Sequence, residues 1–233
     1  MTASTAMQAR PQPARLPAAV IFDMDGLMLD TEPLAARAWT DAARALGVGF
    51  DDAIAPRLVG RNFTDCRRLI SEHHGEAYPI DALMSGWHSA YDAIVAREGV
   101  VIKPGLIELI DWIEARALRK AVATSTRRSR ALTKLRDTGL LHRFSVIVGG
   151  DEVVQGKPAP DIFIQAAARI GTDPAQCMAL EDSAPGVRAA SAAGMQTIMI
   201  PELELCVGAD LPQHVTVMRS LHDVRLYLET LAA

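Results

Sequence analysis

Two aspartates stand two residues apart where an apolar run ends, in Val20-Ile21-Phe22-Asp23-Met24-Asp25-Gly26, and Asp30 follows. Side chains two apart on an extended chain point the same way, so Asp23 and Asp25 are expected to converge at the carboxyl end of a strand. That edge is where open α/β sheets bind ligands. Neighbouring carboxylates repel unless a proton or cation intervenes, which points to Mg2+. Gly26 would let the backbone turn sharply beside a ligand. Taken alone, the pair is equally well a solvated turn at a strand end.

Three further strand ends offer what phosphoryl transfer requires. Ala121-Val122-Ala123 is followed by Thr124-Ser125-Thr126, hydroxyls and N–H groups leading into a helix, and helix N-termini attract phosphate. The ordinary alternative is an N-cap cluster. Gly156-Lys157-Pro158-Ala159-Pro160-Asp161 holds a lysine on a backbone stiffened by two prolines. It is either a surface lysine or a point charge against an anion, an attraction of about 4 kcal/mol at 4 Å and an effective dielectric of ~20. Ala179-Leu180-Glu181-Asp182-Ser183 ends a fourth run in two acids, which are either N-cap chemistry or part of an oxygen cage for Mg2+.

Short apolar runs and helical patterns must position these groups. The runs are 18–22, 120–123, 146–148, 178–180 and 197–200. Such continuous apolar strands between helices predict a parallel sheet covered on both faces. Residues 159–170 carry Ile162, Phe163, Ala166, Ala167 and Ile170 on one stripe before Gly171, Pro185 opens a helix ending at Gly194, and Ser220 with Asp223 forms a capping-box pattern. Between Asp30 and Lys103 no strand is legible, only helices over 34–46, 64–74 and 80–97. That is too much helix for one crossover. The predicted architecture is a doubly wound, Rossmann-like α/β core (18–30 and 104–233) carrying an α-helical cap (31–103).

Composition bounds the function. The chain has 233 residues, 49% hydrophobic and 22% charged, with net charge −4, which argues against a nucleic acid or an anionic membrane as partner. The longest charge-free run, 189–201, is too short to span a bilayer. Cys66, Cys177 and Cys206 form no C-x-x-C pair, so a reducing cytoplasm is the expected location. Residues 1–17, rich in Ala, Gln and Pro and without an apolar run, read as a mobile tail.

The four motifs in this order, D-x-D-G-x-x-x-D, T-S-T, G-K-P-x-P-D and E-D-S-x-x-G, resemble the haloacid dehalogenase superfamily, in its phosphatase/β-phosphoglucomutase branch. The resemblance runs from Val20 to the C-terminus. It implies that Asp23 is a nucleophile forming an aspartyl-phosphate and that Asp25 is the general acid/base. It implies that Asp23, the Asp25 carbonyl and Asp182 ligate Mg2+ with Glu181 through water, and that Thr124, Ser125 and Lys157 hold the phosphate. The second Asp separates the chain from the dehalogenases proper, which lack it.

In the family, the cap reads the leaving group. Its specificity loop here is Val59-Gly60-Arg61-Asn62-Phe63-Thr64. Arg61 and Asn62 are candidate substrate contacts, as are Glu32 and Thr126 by motif position. β-Phosphoglucomutases carry Ser-Arg in this loop and a histidine in the first cap helix. This chain has Asn62-Phe63 and Ala35 there, which favours a hydrolase over a phosphosugar mutase. The opening D-M-D-G-L and A-G-M-Q near Gly194 also resemble pseudouridine-5′-phosphatases. The expected partner is one small sugar or nucleoside phosphate, with Mg2+ as cofactor and the chain acting as a monomer.

Overall fold

The computed structural model describes residues 15–58, 63–201, 211–212 and 214–232. The N-terminal stretch up to residue 14, the loop 59–62 with Arg61 and Asn62, and Cys206 lie outside them. In chain order the elements begin with β1 (Ala19–Phe22), β2 (Leu29–Asp30), α1 (Glu32–Ala45), α2 (Ala55–Leu58), α3 (Phe63–His74) and α4 (Ile80–Glu98). Then come β3 (Val101–Ile102), α5 (Leu106–Ala115), β4 (Arg119–Ala123), α6 (Arg128–Asp137), β5 (Ile147–Val148) and α7 (Asp161–Arg169). The last are β6 (Cys177–Glu181), α8 (Ala184–Ala192), β7 (Gln196–Met199), β8 (Thr216–Val217) and α9 (Leu221–Ala232).

Six strands form one sheet in the order β5-β4-β1-β6-β7-β8, and every pair in it is parallel. The residues of β1 alternate between two cores. Val20 and Phe22 pack with Leu109 and Ile113 of α5 and Val224 and Leu228 of α9. Ala19 and Ile21 pack with Phe163 and Ala166 of α7 and Ala189 and Ala190 of α8. Both faces of the sheet are therefore covered, and each fully buried Leu, Ile or Phe contributes about 1.5–3 kcal/mol. Leu16 also packs against the first core, so the end of the stretch read as tail lies on the body.

The chain leaves β1 for β4 and β5 on one side, then crosses to β6, β7 and β8 on the other. The crevice where the direction reverses lies at the carboxyl ends of β1 and β6, the position at which doubly wound sheets bind ligands. The acidic motifs stand there.

Among the described residues four helices lie between β2 and β3 and pack on clusters of their own. One holds Trp39, Ile54, Leu69, Ile70 and Leu83, and the other Leu34, Ala38, Tyr91 and Ile94. The predicted helices appear close to their expected positions. The expectation that no strand lies between Asp30 and Lys103 is corrected: β2 and β3 pair antiparallel, Leu29 with Ile102 and Asp30 with Val101. Each is two residues long, too short for a period-2 pattern. Their pairing follows from the insert's two ends meeting in space. The edge strand β8 escaped the sequence reading for the same reason.

Candidate active site

The D-x-D pair stands at the end of β1, where Val20, Phe22 and Met24 pack into one core and Asp23 and Asp25 alternate with them. Strand β1 ends at Phe22, and a turn closes through Met28 N–H and Leu29 N–H, both donating to the Met24 carbonyl at 3.0 Å. Gly26 turns it at φ +87°. Asp23 remains tied to the sheet, its N–H donating to the Leu180 carbonyl at 3.0 Å. Asp25 bridges to Leu29 just ahead of the turn at 26–28, and both carboxylates line one cavity.

The two carboxylates occupy different environments. Asp23 is buried, and burial above all pushes its pKa from 3.8 up to about 8; Glu181 and Asp25 add to the rise and the Lys157 ammonium opposes it. Burial would raise Asp25 too. There the Lys134 ammonium, 2.5 Å away, and the Thr126 hydroxyl, donating at 2.6 Å, outweigh it and hold the carboxyl below its ordinary value. Two acids with pKa values driven apart is the arrangement that divides labour between catalytic carboxylates.

Lys157, 7% exposed, binds the Asp23 carboxylate, Glu181 Oε1 at 2.5 Å and the Ala123 carbonyl at 3.2 Å. It is no surface lysine: burial would lower its pKa, and the two carboxylates more than reverse that. Glu181, fully buried at the end of β6, accepts at Oε2 from Asp182 N–H, Ser183 N–H and the Ser183 hydroxyl at 3.0–3.1 Å. The N-cap of α8 is Ser183, so neither acid before it is needed for capping. Glu181 fixes Lys157 on one side and its own loop on the other.

Asp23, Glu181 and Asp182 each offer a carboxylate oxygen within 4.8 Å of the others, all three buried. Asp182 has its pKa driven well above the ordinary value by burial first, then by Glu181 and Asp23. One ammonium does not balance three buried carboxylates. A hard cation with oxygen ligands would, so the donor set fits Mg2+.

Gly186 makes this packing possible. A Cβ there would lie 1.8 Å from Glu181 Oε1, and Glu181 is held from four directions. Gly186→Ala is expected to destabilise the fold by at least ~3 kcal/mol, about 6–12 °C in Tm for a chain of this size. Calorimetry showing a wild-type transition would mean the loop yields.

Thr124 is buried after β4, its N–H donating to the Val148 carbonyl at 3.0 Å and its hydroxyl accepting from Thr126 N–H at 3.1 Å. The three residues do not cap α6: that helix starts at Arg128, whose N–H is met by the Asp151 carboxylate at 2.7 Å. Thr124, Ser125, Thr126 and Glu32 line the same cavity as Asp23, Lys157 and Asp182. The Thr126 hydroxyl, on the cavity wall, donates to Asp25 Oδ2 at 2.6 Å. Gly149 and Gly150 wedge the loop from behind, with hypothetical Cβ atoms 2.4 Å from Arg128 N and 2.3 Å from the Ser125 carbonyl oxygen.

Sequence reasoning missed Lys134. Arg127, Arg130 and Lys134 follow the T-S-T motif at spacings of three and four, one face of a helix, and all line the cavity. Arg130 ties the sheet to the insert, bonding the Asp92 carboxylate and meeting His88 Nδ1 at 2.8 Å. The Lys134 ammonium lies 4.9 Å from the centre of the Tyr91 ring. Basic residues at helical spacing beside a phosphate motif were the available signal.

A model of the haloacid dehalogenase-like hydrolase family matches residues 17–194. The phosphorylated carbohydrates phosphatase of Thermotoga maritima is 32% identical over 180 residues, covering 77% of this chain and 83% of that protein. The bifunctional riboflavin kinase/FMN phosphatase of Arabidopsis thaliana is 32% identical over 217 residues, 91% of this chain; the match spans 55% of that longer protein. Among solved structures, CbbY from Rhodobacter sphaeroides in complex with phosphate has the same fold, at TM-score 0.72 and 28% identity over 89% of this chain and 96% of that one.

Proposed function

The chain belongs to the haloacid dehalogenase-like hydrolase family, and from that premise we propose that it is a Mg2+-dependent phosphomonoesterase working through an aspartyl-phosphate on Asp23. The observation that carries this reading is the buried set of Asp23, Lys157, Glu181 and Asp182 at the ends of β1 and β6, with Asp25 held apart by Lys134. Its substrate is a small phosphorylated metabolite, a sugar phosphate or nucleoside 5′-phosphate, taken up by a monomer in a reducing cytoplasm. Among the described residues no helix is long and apolar enough to cross a membrane, and no disulfide joins Cys66 or Cys177.

Asp23, Asp182 and the Asp25 carbonyl would hold the cation, with Glu181 behind them through water. When bound, it would neutralise charge developing on the phosphoryl oxygens. Lys157 and the Thr124-Ser125 loop hold the phosphate in line with Asp23, whose carboxylate oxygen attacks phosphorus as the ester bond breaks. Asp25 protonates the departing oxygen, then takes a proton from the water that cleaves the aspartyl-phosphate. Resting Asp25 is ionised, the state of a base. An arriving phosphate dianion raises its proton affinity by like-charge repulsion, as the acid half requires.

Chelation supplies the test. Phosphate release from a metabolite panel should fall to background in EDTA and return with Mg2+. Stability should follow pH as well. Asp23 has a folded pKa raised from 3.8 to about 8, so its contribution is fully present below 3.8 and is lost as pH climbs through 8. Without divalent cation, Tm should fall over that window, and Mg2+ should restore more at pH 8 than at pH 5. Activity indifferent to EDTA would refute the metal assignment. Phosphoryl transfer between positions of a sugar, without phosphate release, would mark a mutase.

A further inference from the structure

Building on the phosphatase reading, we infer that the ester's leaving group carries a planar aromatic or heteroaromatic ring, received by Trp39, Phe63, Trp87 and Tyr91 of the helical insert. The cavity over Asp23 and Lys157 has a volume of about 740 Å3. That is far more than a phosphate needs and within the range of sites for drug-sized ligands, ~300–1,000 Å3. The wall opposite the phosphate groups is made of rings. Trp87 lies at the centre, 5.3 Å from Trp39, 5.1 Å edge-on to Phe63 and 5.0 Å from a stacked Tyr91, centroid to centroid. His88 stacks on Phe63 at 4.7 Å and 3°. All five line the cavity.

Aliphatic side chains would hold these helices together equally well. Rings locked against one another and facing a cavity also offer flat, rigid surfaces to a flat ligand. Ala35, Ala55 and Leu58 complete this side. Among the described insert residues lining the cavity, Thr31 and Glu32 are polar, and the stretch of Trp39, Phe63 and Trp87 is apolar. Trp87 Nε1 donates to the Ala35 carbonyl at 3.1 Å, and His88 is engaged with Arg130. A sugar laid against the Trp39, Phe63 and Trp87 stretch would set its hydroxyls against apolar rings, which disfavours it there.

The test compares kcat/KM for flavin mononucleotide and a nucleoside 5′-monophosphate with that for glucose 6-phosphate and glycerol 3-phosphate. The ring-bearing esters should lead by about tenfold or more, the scale of one stacking contact. Trp87→Ala should collapse that ratio, and Trp87→Leu, which keeps apolar volume, should do so if the alanine variant fails to fold. Independently of turnover, a nucleoside 5′-monophosphate should quench tryptophan fluorescence of the Asp23→Asn protein while glucose 6-phosphate does not. Equal or better hydrolysis of the ring-free esters, or a ratio unmoved by Trp87, overturns the inference and leaves the phosphatase reading standing. If no ester of either class releases phosphate, that reading falls, and quenching alone decides: present, the ring site stands; absent, it is overturned.

Discussion

Asp23→Asn should abolish phosphate release, lowering kcat by about 10^4-fold or more, as removal of a nucleophile does. The amide keeps the shape of the carboxylate but has no lone pair fit to attack phosphorus. The fold should survive, because the substitution removes a charge that burial and Glu181 disfavour. In cation-free buffer at pH 8 the variant's Tm should equal or exceed that of wild type, since a carboxyl whose pKa is raised to about 8 contributes no stability there. Phosphate release assays and calorimetry read the two effects separately. Retained Mg2+-dependent turnover would end the assignment of Asp23 as nucleophile.

Lys157→Met should damage both activity and fold. The ammonium is the shared partner of Asp23 and Glu181, and Asp182 stands in the same buried cluster. Removing one partner from a buried ion pair costs about 3–5 kcal/mol, because the charges left behind stay desolvated. At this chain length that is roughly 6–20 °C in Tm. The loss should be smaller at pH 5 than at pH 8, since abandoned carboxylates take up protons more readily in acid. Added Mg2+ should recover part of the stability, whereas turnover should remain at least about 100-fold down without the positioned charge. An unchanged transition, or one equally lowered at both pH values, would mean that Lys157 does not balance this cluster.

The chemistry was legible because it is written in residue types at strand ends. An apolar run followed by acids, hydroxyls or a restricted lysine needs no long-range contact to be noticed. Asp23, Lys157 and Asp182 accordingly stand where those motifs placed them. The helices of the insert were legible for a related reason, since a dozen residues at period 3.6 carry a strong signal. The ribbon of β2 and β3 was not, being two residues against two. Nor was the bond from the Thr126 hydroxyl, on the cavity wall, to Asp25 legible, because motif position fixes a neighbourhood and leaves open which way a hydroxyl turns.

The sequence by itself determined the fold class, the identity of the acids and the lysine, and the presence of a large helical insert. Local periodicity and motif order do not depend on what lies across the molecule. Only the tertiary structure decided that Lys134 holds Asp25 ionised, that Glu181 anchors Lys157 rather than caps a helix, and that Trp39, Phe63, Trp87 and Tyr91 wall one cavity with Asp23. Each of those joins residues far apart in the chain, and burial, which sets both the pKa values of the acids and the character of the wall, exists only once they meet.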